Sequence, residues 1–182
     1  MNVAVNPAAQ NEQYRLAANE FGEAIGRLAY AYEYDADKRK DLIQDIHLEL
    51  WRSFKIFDGR SSVRTWVYRI AHNIGASHLL KQKRLSRNTY LNIDDMKEMT
   101  DKVDYAAAFE RIDQLDKLMA LIQRLKPTDR QIITLYLEGL NACEIGEVAG
   151  LSSGAIATKI HRIKTKLATL FQKGDIHVEQ LR

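Results

Sequence analysis

An all-α fold, built as two small helical domains joined by an acidic linker, is predicted by three features of the 182-residue sequence. Only 9 glycines and 2 prolines interrupt a chain rich in helix formers, which argues against sheet structure. Apolar residues recur at spacings of three and four along most of the length, the period of a helix that buries one face. That period lapses between about Ser86 and Asp104, where Asp94, Asp95, Glu98, Asp101 and Asp104 outnumber the local lysines, so the chain divides there. The expected units are 10–85, a linker over 86–106, and 107–172.

A hydrophobic share of 46% with 28% charged residues is that of a folded globular chain. The net charge of +3 is too small to name a partner by itself, so the placement of charge must decide. No apolar run approaches the roughly 20 residues of a membrane span, and MNVAVNPAAQ has neither the basic nor the apolar part of a secretion signal. A cytoplasmic protein without membrane insertion is expected. The lone Cys143 has no disulfide partner, and the scattered histidines do not form a ligand set; no metal or cofactor is expected. Neither a glycine-rich phosphate loop nor a paired catalytic motif is present, so no enzyme is expected.

Leu16, Phe21, Ile25, Leu28 and Tyr32 predict a first helix over 10–34 with these residues in the core. A second, over 36–54, buries Leu42, Ile43, Ile46, Leu50 and Phe54. Its other face carries Asp41, Gln44, Asp45, Leu48 and Arg52 and is available to a partner. Asp58, Gly59, Ser61 and Ser62 form a turn in which either serine can cap the next helix, over 62–84. That helix holds Val63, Trp66, Val67, Ile70, Ile74 and Leu79 and ends in the basic stretch KQKR. Around this loop Phe57, Trp66, Tyr68, Arg69 and Asn73 combine flat apolar rings with hydrogen-bond donors, a set suited to unstacked bases. Aromatics at this helical spacing are more often core than base platforms.

Beyond the acidic segment, Phe109, Ile112, Leu115, Leu118, Ile122 and Leu125 predict a helix that breaks at Pro127, and another over Asp129 to Glu138. Asn141 with Glu144 three residues later reads as a reciprocal cap opening a short helix, which Gly150 ends. Ser152 or Ser153 then caps a long last helix, so the order is that of a helix-turn-helix. In it Ile156, Ile160, Ile163, Leu167 and Leu170 alternate steps of four and three. Their stripe leaves Thr158, His161, Arg162 and Thr165 outward, flanked by Lys159, Lys164 and Lys166, with no acidic residue between Ser152 and Lys173. Lysines there neutralise phosphates, and Arg162 can donate twice to a guanine edge.

In this order DLIQDIHLELWRSF, FDGRSSVRTWVYRIAHN, the acidic linker, LKPTDRQIITLYLEGL and EIGEVAGLSSGAIATKIHRIKTKL resemble the extracytoplasmic-function sigma factors over residues 14 to 171. The resemblance implies an initiation subunit whose partners are core RNA polymerase, through the clamp helices of its largest subunit and the flap of the second largest, and promoter DNA. Asp41, Gln44, Asp45 and Leu48 would grip the clamp. Phe57, Asp58, Arg60, Ser61, Trp66, Arg69 and Asn73 would open and hold the minus-ten element. Ser153, Ala157, Thr158, Lys159, His161, Arg162 and Lys166 would read the minus-thirty-five element. An anti-sigma protein is the regulator such a factor implies.

Four positions depart from the family pattern. Ser77 and Leu80 stand where an aspartate and an arginine are common, and Ala157 offers only a methyl where a long side chain is frequent. Gly146 replaces a small alanine, at an expected cost of about 1 kcal/mol in helix propensity. A rival reading, a helix-turn-helix regulator that binds duplex DNA without being a polymerase subunit, explains the second half but not the FDGRSSVRTW block.

Overall fold

The computed structural model describes residues 7–90 and 114–179, with side chains for 7–85 and 117–171. The described residues form helices and contain no strand: α1 (Pro7–Tyr32), α2 (Ala36–Ser53), α3 (Val63–Tyr90), α4 (Gln114–Gln123), α5 (Pro127–Leu137), α6 (Ala142–Ala149) and α7 (Ser153–Glu179). None is long and apolar enough to cross a membrane.

The first three helices pack around one another. Ile25 and Leu28 of α1, Leu42, Ile46 and Leu50 of α2, and Val67 and Ala71 of α3 are sealed from solvent, each apolar stripe covering the others'. Leu16, expected in this core, is instead 54% exposed, and its neighbour Ala17 takes the inward position. The five-residue step from Leu16 to Phe21 overshoots a helical turn, which carries Leu16 off the stripe. Asp35 caps α2, its carboxylate accepting from the backbone N–H of Asp37 and Lys38 at 3.0 Å each. Those bonds hold the Asp35 carboxyl below its usual range, the one from Lys38 contributing most. Ser62, rather than Ser61, caps α3, accepting from the Thr65 N–H at 3.0 Å. A Cβ on Gly75 would lie 2.7 Å from the Tyr32 ring, so glycine is what lets α1 and α3 meet so closely.

α3 runs on to Tyr90, into the range read as linker; the rest of that range, with Phe109 and Ile112, lies outside the described residues. α5 starts two residues earlier than expected. Pro127 sits at its first position, where a missing N–H is not needed and the fixed φ favours the helix. In this half Ile122, Leu125, Ile132, Leu135, Leu140, Ile145, Ile156 and Ile163 form the buried core.

The two halves are in contact. α1 packs on α4 and α5, and α3 packs on α5 and α6.

Candidate nucleic-acid interface

The helix-turn-helix is built by local hydrogen bonds. The Asn141 side chain accepts from the N–H of Cys143 (2.9 Å) and Glu144 (3.0 Å), and Glu144 accepts from the Asn141 N–H at 2.8 Å. Gly150 takes φ +70° and its N–H bonds to the Gly146 carbonyl at 2.8 Å. The Leu151 N–H reaches the same carbonyl at 3.1 Å, closing the helix end. This folds the turn back over α6, and a Cβ on Gly146 would stand 2.5 Å from the Leu151 backbone oxygen. The expectation that Gly146 only weakens α6 is therefore corrected: the turn needs a residue without a side chain there.

Ser152 caps α7, accepting from the Ala155 N–H at 3.3 Å. Ile156, Ile163 and Leu167 face inward, which leaves Ser153, Ala157, Thr158, His161, Arg162 and Lys166 exposed as the period predicts. Thr158 donates its hydroxyl to the Gly154 carbonyl at 3.0 Å. Lys159 differs from the rest: it is half-buried and its ammonium lies 3.2 Å from Asp129 of α5. That pair already meets part of its charge.

In the first half, the α2–α3 loop carries a small aromatic cluster. The Phe57 ring lies 5.8 Å from Phe54 and 5.3 Å from Trp66. Trp66 is half-buried, and its indole N–H donates to Ser53 Oγ at 2.9 Å. The buried part of the ring thus has a packing role, as the sequence left open. Asp58 accepts from the backbone N–H and the guanidinium of Arg60, bonds that keep its carboxyl below the usual range. Arg60 is exposed and Ser61 half-buried. Trp66, Arg69 and Asn73 follow at steps of three and four along one side of α3. Asn73 is exposed, whereas Arg69 Nη2 donates to the Glu147 carbonyl of α6 at 2.9 Å.

On α2, Asp41, Gln44, Asp45 and Leu48 form one exposed stripe, Leu48 at 46%. Asp45, Leu48 and Arg52 border a shallow cavity of about 200 Å³ whose other wall includes Ile74, Ser77 and Lys81 of α3. Leu80 is 58% exposed nearby on α3. Cys143 is an exposed thiol in the first turn of α6, and no metal-ligand cluster occurs among the described residues.

Sequence reasoning missed a polar seam between the halves. Arg27 of α1 donates twice to Glu138, at 2.8 Å each. Arg64 donates to the Glu138 carbonyl at 2.7 Å, and Gln123 to the Tyr30 carbonyl at 2.6 Å. Partners 111 and 74 residues apart leave no local signature.

The capped α6, its tight turn and the exposed cationic α7 define a protein of the DNA-binding helix-turn-helix class. The family model described as Sigma-70 region 2 matches residues 18–85, and the one described as Sigma-70, region 4 matches residues 115–167. The chain belongs to the extracytoplasmic-function RNA polymerase sigma factors. It is 25% identical to the RNA polymerase sigma factor NccH of Alcaligenes xylosoxydans xylosoxydans, over 93% of each chain. It is 27% identical to the ECF RNA polymerase sigma-E factor of Haemophilus influenzae, over 72% of this chain and 74% of that one. In fold it is similar to RpoE, solved with the anti-sigma factor NepR from Bartonella quintana, at TM-score 0.68 and 19% identity over 87% of this chain and 96% of that one. CnrH, solved with the cytosolic domain of CnrY, is similar at TM-score 0.61 and 22% identity over 88% of each chain.

Proposed function

We propose that this sigma factor docks on core RNA polymerase through α2, holds the opened minus-ten strand at the α2–α3 loop and α3, and reads the minus-thirty-five element with α7. The observation that carries the reading is that one chain presents both surfaces: the exposed Thr158, His161, Arg162 and Lys166 of a capped helix-turn-helix, and the Phe57–Trp66 cluster with Asn73 beside it. An α-helix fits the major groove, where base edges are distinguishable. Single-stranded bases are held by stacking and edge hydrogen bonds, which an aromatic loop with Asn73 supplies. Strand opening is uphill, so a surface that binds only unstacked bases shifts the equilibrium toward the open form.

The working units are 10–85 for the clamp and the minus-ten element and 107–172 for the minus-thirty-five element and the polymerase flap, with 86–106 as connector. The exposed carboxylates of Asp41 and Asp45 beside Leu48 suit a basic, partly apolar helix pair such as the clamp. The factor acts in the cytoplasm, without a cofactor and without catalysing a reaction itself. The structural relative RpoE is solved in complex with the anti-sigma factor NepR, and an anti-sigma partner is proposed here as well.

Reconstituted transcription tests this. Purified chain added to core polymerase is expected to produce discrete start sites on genomic templates, with permanganate-reactive thymines just upstream. A chain that neither co-elutes with core polymerase nor starts transcription on any template overturns the reading.

A further inference from the structure

α3 is one-sided in its charge. Not one of its 28 residues is acidic, and its second half carries Lys81, Lys83 and Arg84, all exposed. Two leucines stand out among these cations, Leu80 at 58% and Leu85 at 66% exposed. Steps of four, three and four put Asn73, Ser77, Leu80 and Arg84 on one line of the helix, and all four are exposed. Leu85 lies roughly 140° round from Leu80, off that line.

The opposite side of α3 fixes this line outward. Glu33, 7% exposed just beyond α1, lies 2.8 Å from His78 Nε2 through Oε2, and Gln82 donates to the same oxygen. Its other oxygen accepts from the Asp35 N–H at 3.0 Å, so the carboxylate is tied to the turn before α2. Leu79 packs on the core beside them. Turning Leu80 inward would break these bonds and expose Leu79, so Leu80 is held in solvent by the packing behind it.

An exposed leucine gains free energy only when apolar surface covers it, and the cations around it favour a partner that is itself negative. Nucleic acid offers both, phosphates outside and, on its bases, the thymine 5-methyl that apolar side chains contact. Asn73, proposed to hold an opened base, is seven residues away on the same line. At 1.5 Å per residue that is roughly 10 Å, or about three base steps of 3.4 Å.

We propose that Leu80 is a specificity-determining residue: it packs on the 5-methyl group of a thymine in the minus-ten region, while Lys81, Lys83 and Arg84 pair with the flanking phosphates. This role rests on the proposed function, in which α3 meets the minus-ten element.

Reconstituted holoenzyme tests it on templates randomised across the minus-ten region. The parent is expected to enrich thymine at one position. Leu80→Ala is expected to lose that enrichment and keep the others, whereas Leu80→Met, still apolar and long, retains it. Leu, Ala and Met are all strong helix formers, so these exchanges at an exposed site leave α3 folded. Deoxyuridine, which lacks only the methyl, is then placed at that position of the parent's preferred promoter. It is expected to lower open-complex formation about 3- to 4-fold in the parent, the worth of one buried methyl group, and to leave Leu80→Ala unaffected. A parent without a thymine preference, or one for which deoxyuridine costs nothing, overturns the role of Leu80. Full methyl sensitivity in Leu80→Ala overturns it too, as does loss of co-elution of that variant with core polymerase, which would place Leu80 on a protein contact. A parent that starts transcription on no template sinks the proposed function and this role with it, an outcome told apart by the absence of any transcript.

Discussion

Gly146 shows how one position reverses meaning once its surroundings are known. Counted as a helix residue, glycine in place of alanine costs about 1 kcal/mol, and restoring alanine would stabilise. With the Leu151 carbonyl 2.5 Å from where the Cβ would sit, the sign inverts, since backbone cannot step aside as a flexible side chain can. Gly146→Ala is expected to destabilise the fold by about 1 to 3 kcal/mol, the range of overpacking. Urea unfolding followed by circular dichroism measures it, and a stabilised variant would show that the turn relaxes freely. The Asn141 and Glu144 pair is the opposite case. A cap acts within four residues, so its geometry was readable from residue order alone and the bonds lie where the motif requires them.

Among the elements, α7 and α3 were legible to different degrees. The alternating stripe of α7 needed only the helical period to separate Ile156, Ile163 and Leu167 from His161 and Arg162. Only contacts across the fold showed that Lys159 is paired with Asp129. On α3 the period could not say how much of Trp66 is core, and the bond to Ser53 comes from another helix. These placements rank the expected effects. Arg162→Ala, at an exposed position, is expected to weaken recognition of the upstream element by about 1 to 3 kcal/mol with holoenzyme assembly unchanged. Asn73→Ala is expected to lower open-complex formation, also without affecting assembly. Competition between matched and scrambled upstream elements measures the first, and permanganate footprinting the second. Equal preference for both elements in parent and variant would remove Arg162 from the reading surface.

Across the whole molecule, one buried line of side chains joins the parts: Arg130 of α5 lies over Tyr32 of α1, whose hydroxyl is 2.8 Å from His72 Nδ1 of α3. His72 is 1% exposed with Nε2 unpaired. Burial lowers its pKa from 6.5 to about 3, because a charged ring there would have neither water nor a carboxylate. The native state therefore keeps His72 neutral while the unfolded chain takes up a proton near pH 6.5. Its contribution to stability is complete above about pH 6.5 and declines as the pH falls toward 3, at about 1.4 kcal/mol per pH unit. Between pH 6.5 and 5 this amounts to about 2 kcal/mol. The half-buried His47, lowered by burial, acts in the same direction. Urea midpoints compared at pH 7 and pH 5 are expected to fall further in the parent than in His72→Gln, which cannot titrate. Parallel declines would show that His72 is not the source.

Helix period, caps, turns and the acidic break are properties of neighbouring residues, so the all-α class, the helix-turn-helix, the exposed α2 stripe and the family were readable along the chain. Leu16 failed because a five-residue step drifts around the helix, an error of angle that local pattern tolerates and a packed core does not. The seam was beyond reach for a different reason. Arg27 and Glu138 are 111 residues apart, and each alone looks like ordinary solvated charge. Whether two charges meet depends on how the halves dock, a property of three-dimensional packing, and that docking is also what pairs Arg69 with the Glu147 carbonyl.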